Sequence, residues 1–329
     1  MIENILLTGC NGYLGSKFVE KFSNYYQIYG FDTNFFDLNK KVSSNLGNLI
    51  QKDIRNLTTN DLENIDCVIH MAELSNDPLG ELNSELTYEI NHQATINLLS
   101  LMEKTNIKKF IYMSSCSVYG YNEKTVTEKS ELNPITTYAK AKVKNENYIL
   151  ENDFSFKIAI LRNATAFGFS PNIRLDLVIN DLVYSAIKNS KIELLSDGKP
   201  KRPFVHVEDI CNIIEHLIKN DKYEKLLLNI GTNELNFSII EIAKKIAEFT
   251  NISNISIGKS NDDDRSYDVN FDLLKNFLPN YEFVYNLDNG ILDLIENFSK
   301  YIDSYNSRRL KKIKFLIRKK EIDEMLYWN

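Results

Sequence analysis

Thr8-Gly9-Cys10-Asn11-Gly12-Tyr13-Leu14-Gly15 carries three glycines within eight residues. It follows an apolar run, Asn4–Thr8, that reads as a buried strand, and it opens onto Tyr13–Phe22, where apolar residues recur at helical spacing. The three glycines are spaced G-x-x-G-x-x-G. Between a strand and a helix, Gly9 allows a tight turn, Gly12 lets a pyrophosphate approach the backbone, and Gly15 lets helix and strand pack closely. The helix N-terminus then faces the anion.

Outward from this turn, short β-branched runs alternate with longer amphipathic stretches, as βαβ units do. The predicted strands are Asn4–Thr8, Gln27–Phe31, Asn48–Asp53, Cys67–Met71, Phe110–Ser114, Lys157–Leu161 and Leu226–Ile230. Helices are predicted near Tyr13–Phe22, Asp61–Asn64, Glu85–Thr105 and Tyr138–Glu151. The pattern implies an α/β, doubly wound parallel sheet of the Rossmann kind with about seven strands. After Leu161 the rhythm lapses. The reading is therefore a dinucleotide-binding domain over 1–165, with return segments near 204–231. Segments 166–203 and 232–300 form a smaller C-terminal substrate lobe over the sheet, and 301–329 form an extension.

Composition excludes several classes. The chain has 329 residues, 43% of them hydrophobic and 26% charged, so a disordered or low-complexity protein is ruled out. A net charge of −6 argues against a nucleic-acid binder. No apolar run approaches the roughly 20 residues that span a bilayer, and no signal-peptide pattern opens the chain, so a cytoplasmic location is expected. Cys10, Cys67, Cys116 and Cys211 lie far apart and read as reduced thiols. His70, His92, His206 and His216 also lack metal-ligand spacing, and no metal is implied.

The tail differs from the rest. Arg308, Arg309, Lys311, Lys312, Lys314, Arg318, Lys319 and Lys320 surround Leu310, Ile313, Phe315, Leu316 and Ile317, which reads as a basic amphipathic helix. Two readings stand: an extension packed on the body or a partner subunit, or a peripheral contact with an anionic membrane surface.

The second strand ends at Asp32, 17 residues after Gly15, where a carboxylate would bond both ribose hydroxyls of NAD and repel a 2′-phosphate. Asp53, after the third strand, falls where an adenine-contacting residue would lie.

TGCNGYLG, Asp32, Asp53-Ile54-Arg55 and His70-Met71-Ala72 together resemble the extended short-chain dehydrogenase/reductase family, over about residues 1–300. Its members are mostly nucleotide-sugar epimerases, dehydratases, decarboxylases and ketoreductases. The resemblance implies an NAD site made by Gly9, Asn11, Gly12, Tyr13, Leu14, Gly15, Asp32, Asp53, Ile54, Met71, Ala72, Asn91 and Lys142. Asn91 resembles the family asparagine that supports the lysine through its helix. Glu73 departs from the pattern, which has a small residue there beside the nicotinamide and sugar.

Hydride transfer at a sugar carbinol needs a base for the hydroxyl proton, a group holding the oxygen, and a means of making the base effective near neutral pH. Ser115, Tyr138 and Lys142 are the candidates. Tyr138 and Lys142 are four apart, on one helical face, and an ammonium there favours the phenolate. The Y-x-x-x-K pattern also occurs at Tyr13/Lys17 and Tyr184/Lys188. Only Tyr138 follows a strand ending in Ser114-Ser115-Cys116-Ser117-Val118-Tyr119-Gly120, an order that resembles the family arrangement.

The family's 4,6-dehydratases carry an Asp–Glu pair where this chain has Cys116 and Ser117, so dehydration and decarboxylation are not expected. The Cys–His pair of the GDP-fucose synthase type is also unmatched. Arg202 and Arg265 resemble the family's diphosphate arginines. Ser117 and Thr165 fall at substrate positions. The segment Ser170–Asp181, with Arg174, is similar to a subgroup of bacterial capsule and O-antigen enzymes that includes a GDP-manno-heptose C4 dehydrogenase.

The reading is thus an NAD-dependent oxidoreductase acting at C4 of a nucleoside-diphosphate hexose or heptose, as dehydrogenase or 4-ketoreductase. A 4-epimerase with retained NAD is the alternative, and a non-catalytic NAD-binding scaffold or sensor is a reading of another class. The resemblance also implies a homodimer through the Glu85–Thr105 and Tyr138–Glu151 helices.

Overall fold

The computed structural model describes residues 2–36, 49–75, 80–81, 83–260, 267–301 and 309–329. Six strands come first: β1 (Asn4–Thr8), β2 (Gln27–Asp32), β3 (Leu49–Gln51), β4 (Cys67–His70), β5 (Lys109–Ser115) and β6 (Lys157–Asn163). They are followed by β7 (Thr165–Phe167), β8 (Ile192–Ser196), β9 (Lys201–His206), β10 (Lys225–Ile230), β11 (Asn236–Ser238) and β12 (Ile255–Ser260). A seven-stranded, wholly parallel sheet has the order β3-β2-β1-β4-β5-β6-β10. The order reverses beside β1, between it and β4, and such a switch point opens a crevice at the carboxyl ends of the strands.

Both faces of the sheet are covered, which is why the strands read as nearly unbroken apolar runs. Ile5 and Leu7 of β1 face α1 (Tyr13–Phe22) through Phe18 and Val19, while Leu6 joins Phe110, Tyr112 and Leu98 on the opposite face. Gly15 lies where α1 meets this sheet. A Cβ there would fall 2.2 Å from the Gly9 carbonyl oxygen and 2.8 Å from Cys10 Cα. Gly15→Ala is expected to destabilise the chain by about 1–3 kcal/mol through overpacking. Urea unfolding checks this, and an unchanged midpoint would contradict it.

Two predicted helices differ in detail. Asp61–Asn64 is a short 3-10 turn, Thr59–Leu62, set by a reciprocal Thr58/Asp61 cap rather than by an apolar stripe. Glu85–Thr105 becomes α2 (Ser84–Tyr88), a π turn over Glu89–Gln93, and α3 (Ala94–Met102). Beside it lies α4 (Thr137–Glu151), close to the predicted Tyr138–Glu151. The third strand covers only part of Asn48–Asp53, and residue 48 lies outside the described residues.

The remaining elements share a third apolar cluster. It joins α5 (Val178–Asn189), α7 (Ile239–Thr250) and α9 (Leu287–Tyr301) through Ile179, Val183, Ile242 and Leu294. Two small sheets, β11-β9-β7 and β12-β8, lie with them. Two further helices are α6 (Val207–Lys219), which packs on the sheet through Ile210 and Ile214, and α8 (Asp272–Phe277).

The C-terminal extension does form a helix, α10 (Arg309–Arg318). Its apolar stripe points inward: Ile313 and Leu316, with Ile322 and Leu326 beyond, are buried in the cluster that holds Leu6 and Phe110. Much of the stripe is thus covered by the body of the protein itself, although Phe315 is exposed. That supports packing on the body; Arg308 lies outside the described residues.

Candidate active site

The carboxyl ends of β1, β4, β5 and β6 open onto a cleft of about 940 Å³. Gly9, Gly12 and Gly15 line its floor beside Met71 and Ala72. Gly9 has φ +74°, and a Cβ there would lie 2.8 Å from the Ala72 nitrogen. A bare-backbone cradle of this kind is what the pyrophosphate of NAD requires. Asp32 stands at the end of β2, its Oδ2 accepting the Asn11 N–H at 3.0 Å and its Oδ1 the Asn34 N–H at 2.8 Å. The carboxylate is thereby fixed against the turn, at the edge of the cleft.

The segment after Phe167 clamps this turn from outside. Tyr13 donates its hydroxyl to the Gly168 carbonyl at 2.6 Å, Ser170 donates to the Tyr13 carbonyl at 2.7 Å, and Asn172 donates to the Asn11 carbonyl. Ser170 and Asn172 therefore brace the glycine turn, and the hydroxyl of Tyr13 is directed away from the floor although its residue lines the cleft.

The opposite wall holds Ser115, Tyr138 and Lys142 together. Ser115 ends β5, and its Oγ accepts the Ser117 N–H at 3.1 Å, which leaves its own O–H to donate. Thr136 caps α4 by accepting the Ala139 N–H, so Tyr138 falls in the first turn and Lys142 one turn later. The Lys142 ammonium lies 5.4 Å from the Tyr138 ring centroid. It donates to the Met113 carbonyl and stands 2.5 Å from Glu73 Oε2. Tyr112 donates to Glu73 Oε1 at 2.9 Å, and Asn145 donates to the Tyr112 oxygen at 2.8 Å. Burial pulls both ionisable groups toward their neutral forms. Lys142 is lowered although Glu73 opposes this, and Glu73 is raised although Lys142 opposes it.

Beneath the wall, Arg162 and Glu146 form a buried pair, with Nη2 2.6 Å from Oε2, that ties β6 to α4. Cys116 is buried there, its thiol directed to the Arg162 carbonyl and pushed up by burial, so it stays protonated. The Cys10 thiol is likewise raised by burial.

Several candidates take other roles. The Asp53 carboxylate is held by Arg55, with Nη2 2.6 Å from Oδ2, and it caps the turn Ile54–Asn56; Asp53 and Ile54 still line the cleft. Asn91 is fully buried with its side chain on Leu74, accepting its N–H at 2.8 Å and donating to its carbonyl at 3.2 Å. Its side chain holds the loop after β4, while its carbonyl accepts from Asn145 of α4 at 2.7 Å, one turn from Lys142. Leu14, Ser117, Thr165, Arg174 and Arg202 line the cleft. Arg174 is taken by Asp176 in a two-point pair, 3.1 and 2.9 Å. Arg265 lies outside the described residues.

The lining residues that were missed include Asn163 at the end of β6, Ser75 after β4, and Arg309. The rule that ligands gather at strand ends points to the first two. Nothing local to the sequence points to the third.

Similarity to known proteins agrees with this geometry. A putative UDP-glucose 4-epimerase of Methanocaldococcus jannaschii is 31% identical over 241 residues, covering 70% of this chain and 77% of the relative. The dTDP-D-glucose 4,6-dehydratase of Homo sapiens is 27% identical, covering 77% and 75%. The solved structure of MoeE5 in complex with UDP-glucose and NAD shares the fold with a TM-score of 0.80 at 24% identity, covering 91% of this chain and 99% of that one. The profile of the NAD dependent epimerase/dehydratase family matches residues 5–231, well over half of the chain. The chain belongs to that family and is an NAD-dependent enzyme.

Proposed function

We propose that the enzyme acts at C4 of a nucleoside-diphosphate hexose or heptose, as a C4 dehydrogenase or 4-ketoreductase in the making of capsule, lipopolysaccharide or O-antigen sugars. The observation that carries this reading is the turn after β5. Beside Ser115 and Tyr138 it offers Cys116, buried beneath the wall, and Ser117, whose hydroxyl has no partner among the described residues. A dehydratase needs an added acid and base at this place, and neither side chain is a carboxylate. Glu73, on the same wall, is engaged by Lys142 and Tyr112.

In this reading Tyr138 takes the proton of the C4 hydroxyl while Ser115 donates a hydrogen bond to the same oxygen. Lys142 supports the phenolate through its charge. When bound, NAD supplies the acceptor of the C4 hydride and, in reverse, its donor. Arg202, 8% exposed on β9, would pair with the diphosphate of the substrate, with Thr165 and Ser117 toward the sugar. The smaller sheets and their helices would then form the substrate lobe. We further infer a homodimer through α3 and α4, which lie side by side with Leu150 of α4 exposed.

A 4-epimerase is the second reading, favoured by the name of the 31% identical relative. Incubation with UDP-hexoses, UDP-glucuronate and GDP-manno-sugars separates the two. A dehydrogenase yields a keto sugar with matching NADH, an epimerase yields the C4 epimer with no net NADH, and a deoxy-keto product would overturn both.

A further inference from the structure

Arg309 opens α10, beyond the residues the family profile matches. It is nevertheless 7% exposed and lines the cofactor cleft. Its Nη1 donates to Ser75 Oγ at 2.8 Å, its guanidinium lies 4.8 Å from the Phe36 ring centroid, and its Nη2 is buried with no partner among the described residues. Arg174 reaches the same point, its Nη1 3.3 Å from the Ser75 carbonyl.

Two guanidiniums thus meet at Ser75, and the Asp176 carboxylate is held by Arg174. A buried cation without a counter-ion is costly, so the site is built for an arriving anion. Burial, then the charge of Arg174, lowers Arg309 to about 10, while Asp176 and Asp32 pull the other way.

Position names the anion. Ser75 follows β4, next to the residues that crowd Gly9 of the phosphate turn. Asp32, the ribose carboxylate, is close enough to act on the charge of Arg309, and Tyr138 on that of Arg174. The point where the two arginines meet therefore lies between the adenosine end and the nicotinamide end of the cleft, where the pyrophosphate of the dinucleotide runs.

The rest of the tail fastens Arg309 there. The Trp328 indole N–H donates to the Thr33 carbonyl at 2.6 Å, and its ring lies 5.5 Å from that of Phe35. The Arg55 guanidinium sits 3.6 Å from the Tyr327 ring centroid and donates to the Met325 carbonyl at 2.9 Å. The tail crosses the adenosine side of the cleft as a strap.

We propose that Arg309 is a pyrophosphate-binding residue for NAD, delivered by a C-terminal strap that must loosen before the cofactor can leave. This deepens the NAD assignment and rests on it. Fold-specific readouts test it: calorimetric titration of the cofactor-stripped full chain with NAD, ADP-ribose and adenosine. Arg309→Gln is expected to weaken NAD and ADP-ribose by about 10–100-fold, the worth of a charge-assisted bond, and to leave adenosine within about twofold. Trp328→Ala, at the exposed latch, is expected to speed NAD release, read by displacement with excess ADP-ribose; this second variant serves if Arg309→Gln does not fold. Unchanged NAD affinity in Arg309→Gln, or unchanged release in Trp328→Ala, overturns the clamp and leaves the C4 reading standing. Weakened UDP-sugar binding with NAD unaffected would move Arg309 to the substrate and overturn it as well. An unaltered chain that binds no NAD would overturn both readings.

Discussion

Tyr138→Phe is expected to lower turnover by about 100-fold to 10,000-fold while leaving NAD affinity unchanged, because in the proposed reading only the proton-transfer group is removed. The ring stays, and with it the packing that places the start of α4. Tyr138 Cβ lies 3.2 Å from where a side chain on Gly80 would begin, and the Lys142 ammonium lies 5.4 Å from the ring centroid. Lys142 keeps its bonds to Met113 and Glu73, neither of which involves the phenol. Steady-state turnover and NAD titration of the same preparation check both halves. A residual rate within about tenfold would mean that the C4 proton leaves by another route, and the Glu73–Lys142 pair is the other titratable group on that wall. Loss of NAD binding would mean that the phenol holds the cofactor in place rather than moving the proton.

The place of Tyr138 in the cleft was legible because two patterns of different origin cross on it. Its spacing to Lys142 alone occurs three times in the chain, but only this pair lies on a helix that follows a serine-ended strand. The seven-stranded sheet was legible for a related reason: strands buried on both faces must be apolar along their whole length, and that signal survives without any partner being known. The first helix came out at its observed bounds because a glycine turn fixed its start and an apolar stripe fixed its length.

What failed to show was anything set by distant partners. The π turn at Glu89–Gln93 leaves an ordinary helical stripe in sequence, since one i to i+5 turn scarcely alters the period. Asn91 was visible as a candidate, but the pairing of its amide with the Leu74 backbone was not. The tail is the sharpest case. An amphipathic pattern says that one face will be covered but not by what, and its arginines and lysines suggest solvent. Arg309 meets Ser75 across 234 residues of chain, so its role depends wholly on where α10 docks.

Glu73 was visible as a departure from the family pattern, but its partner was not, and that partner makes a second large effect. Lys142 is 4% exposed and Glu73 3% exposed, with the ammonium and carboxylate 2.5 Å apart. Burial alone drives the lysine toward its neutral form, and Glu73 is the first of the groups that oppose it. Glu73→Gln keeps the shape and removes the charge. The lysine then sheds its proton at lower pH, because the opposite charge that favoured the ammonium is gone. In the proposed reading only the ammonium supports the Tyr138 phenolate, so the limb of the pH–rate profile on which activity falls with rising pH should move to lower pH. The acid limb should stay. Folding stability carries the same sign. A lysine whose folded-state value is depressed loses stability as pH falls toward that value, so the deficit of Glu73→Gln in urea should grow from alkaline toward neutral pH. Glu73→Asp, which restores the charge, should recover most of the basic limb. A basic limb that stays in place in Glu73→Gln would remove Glu73 from the chemistry, and loss of the acid limb instead would make Glu73 itself the base.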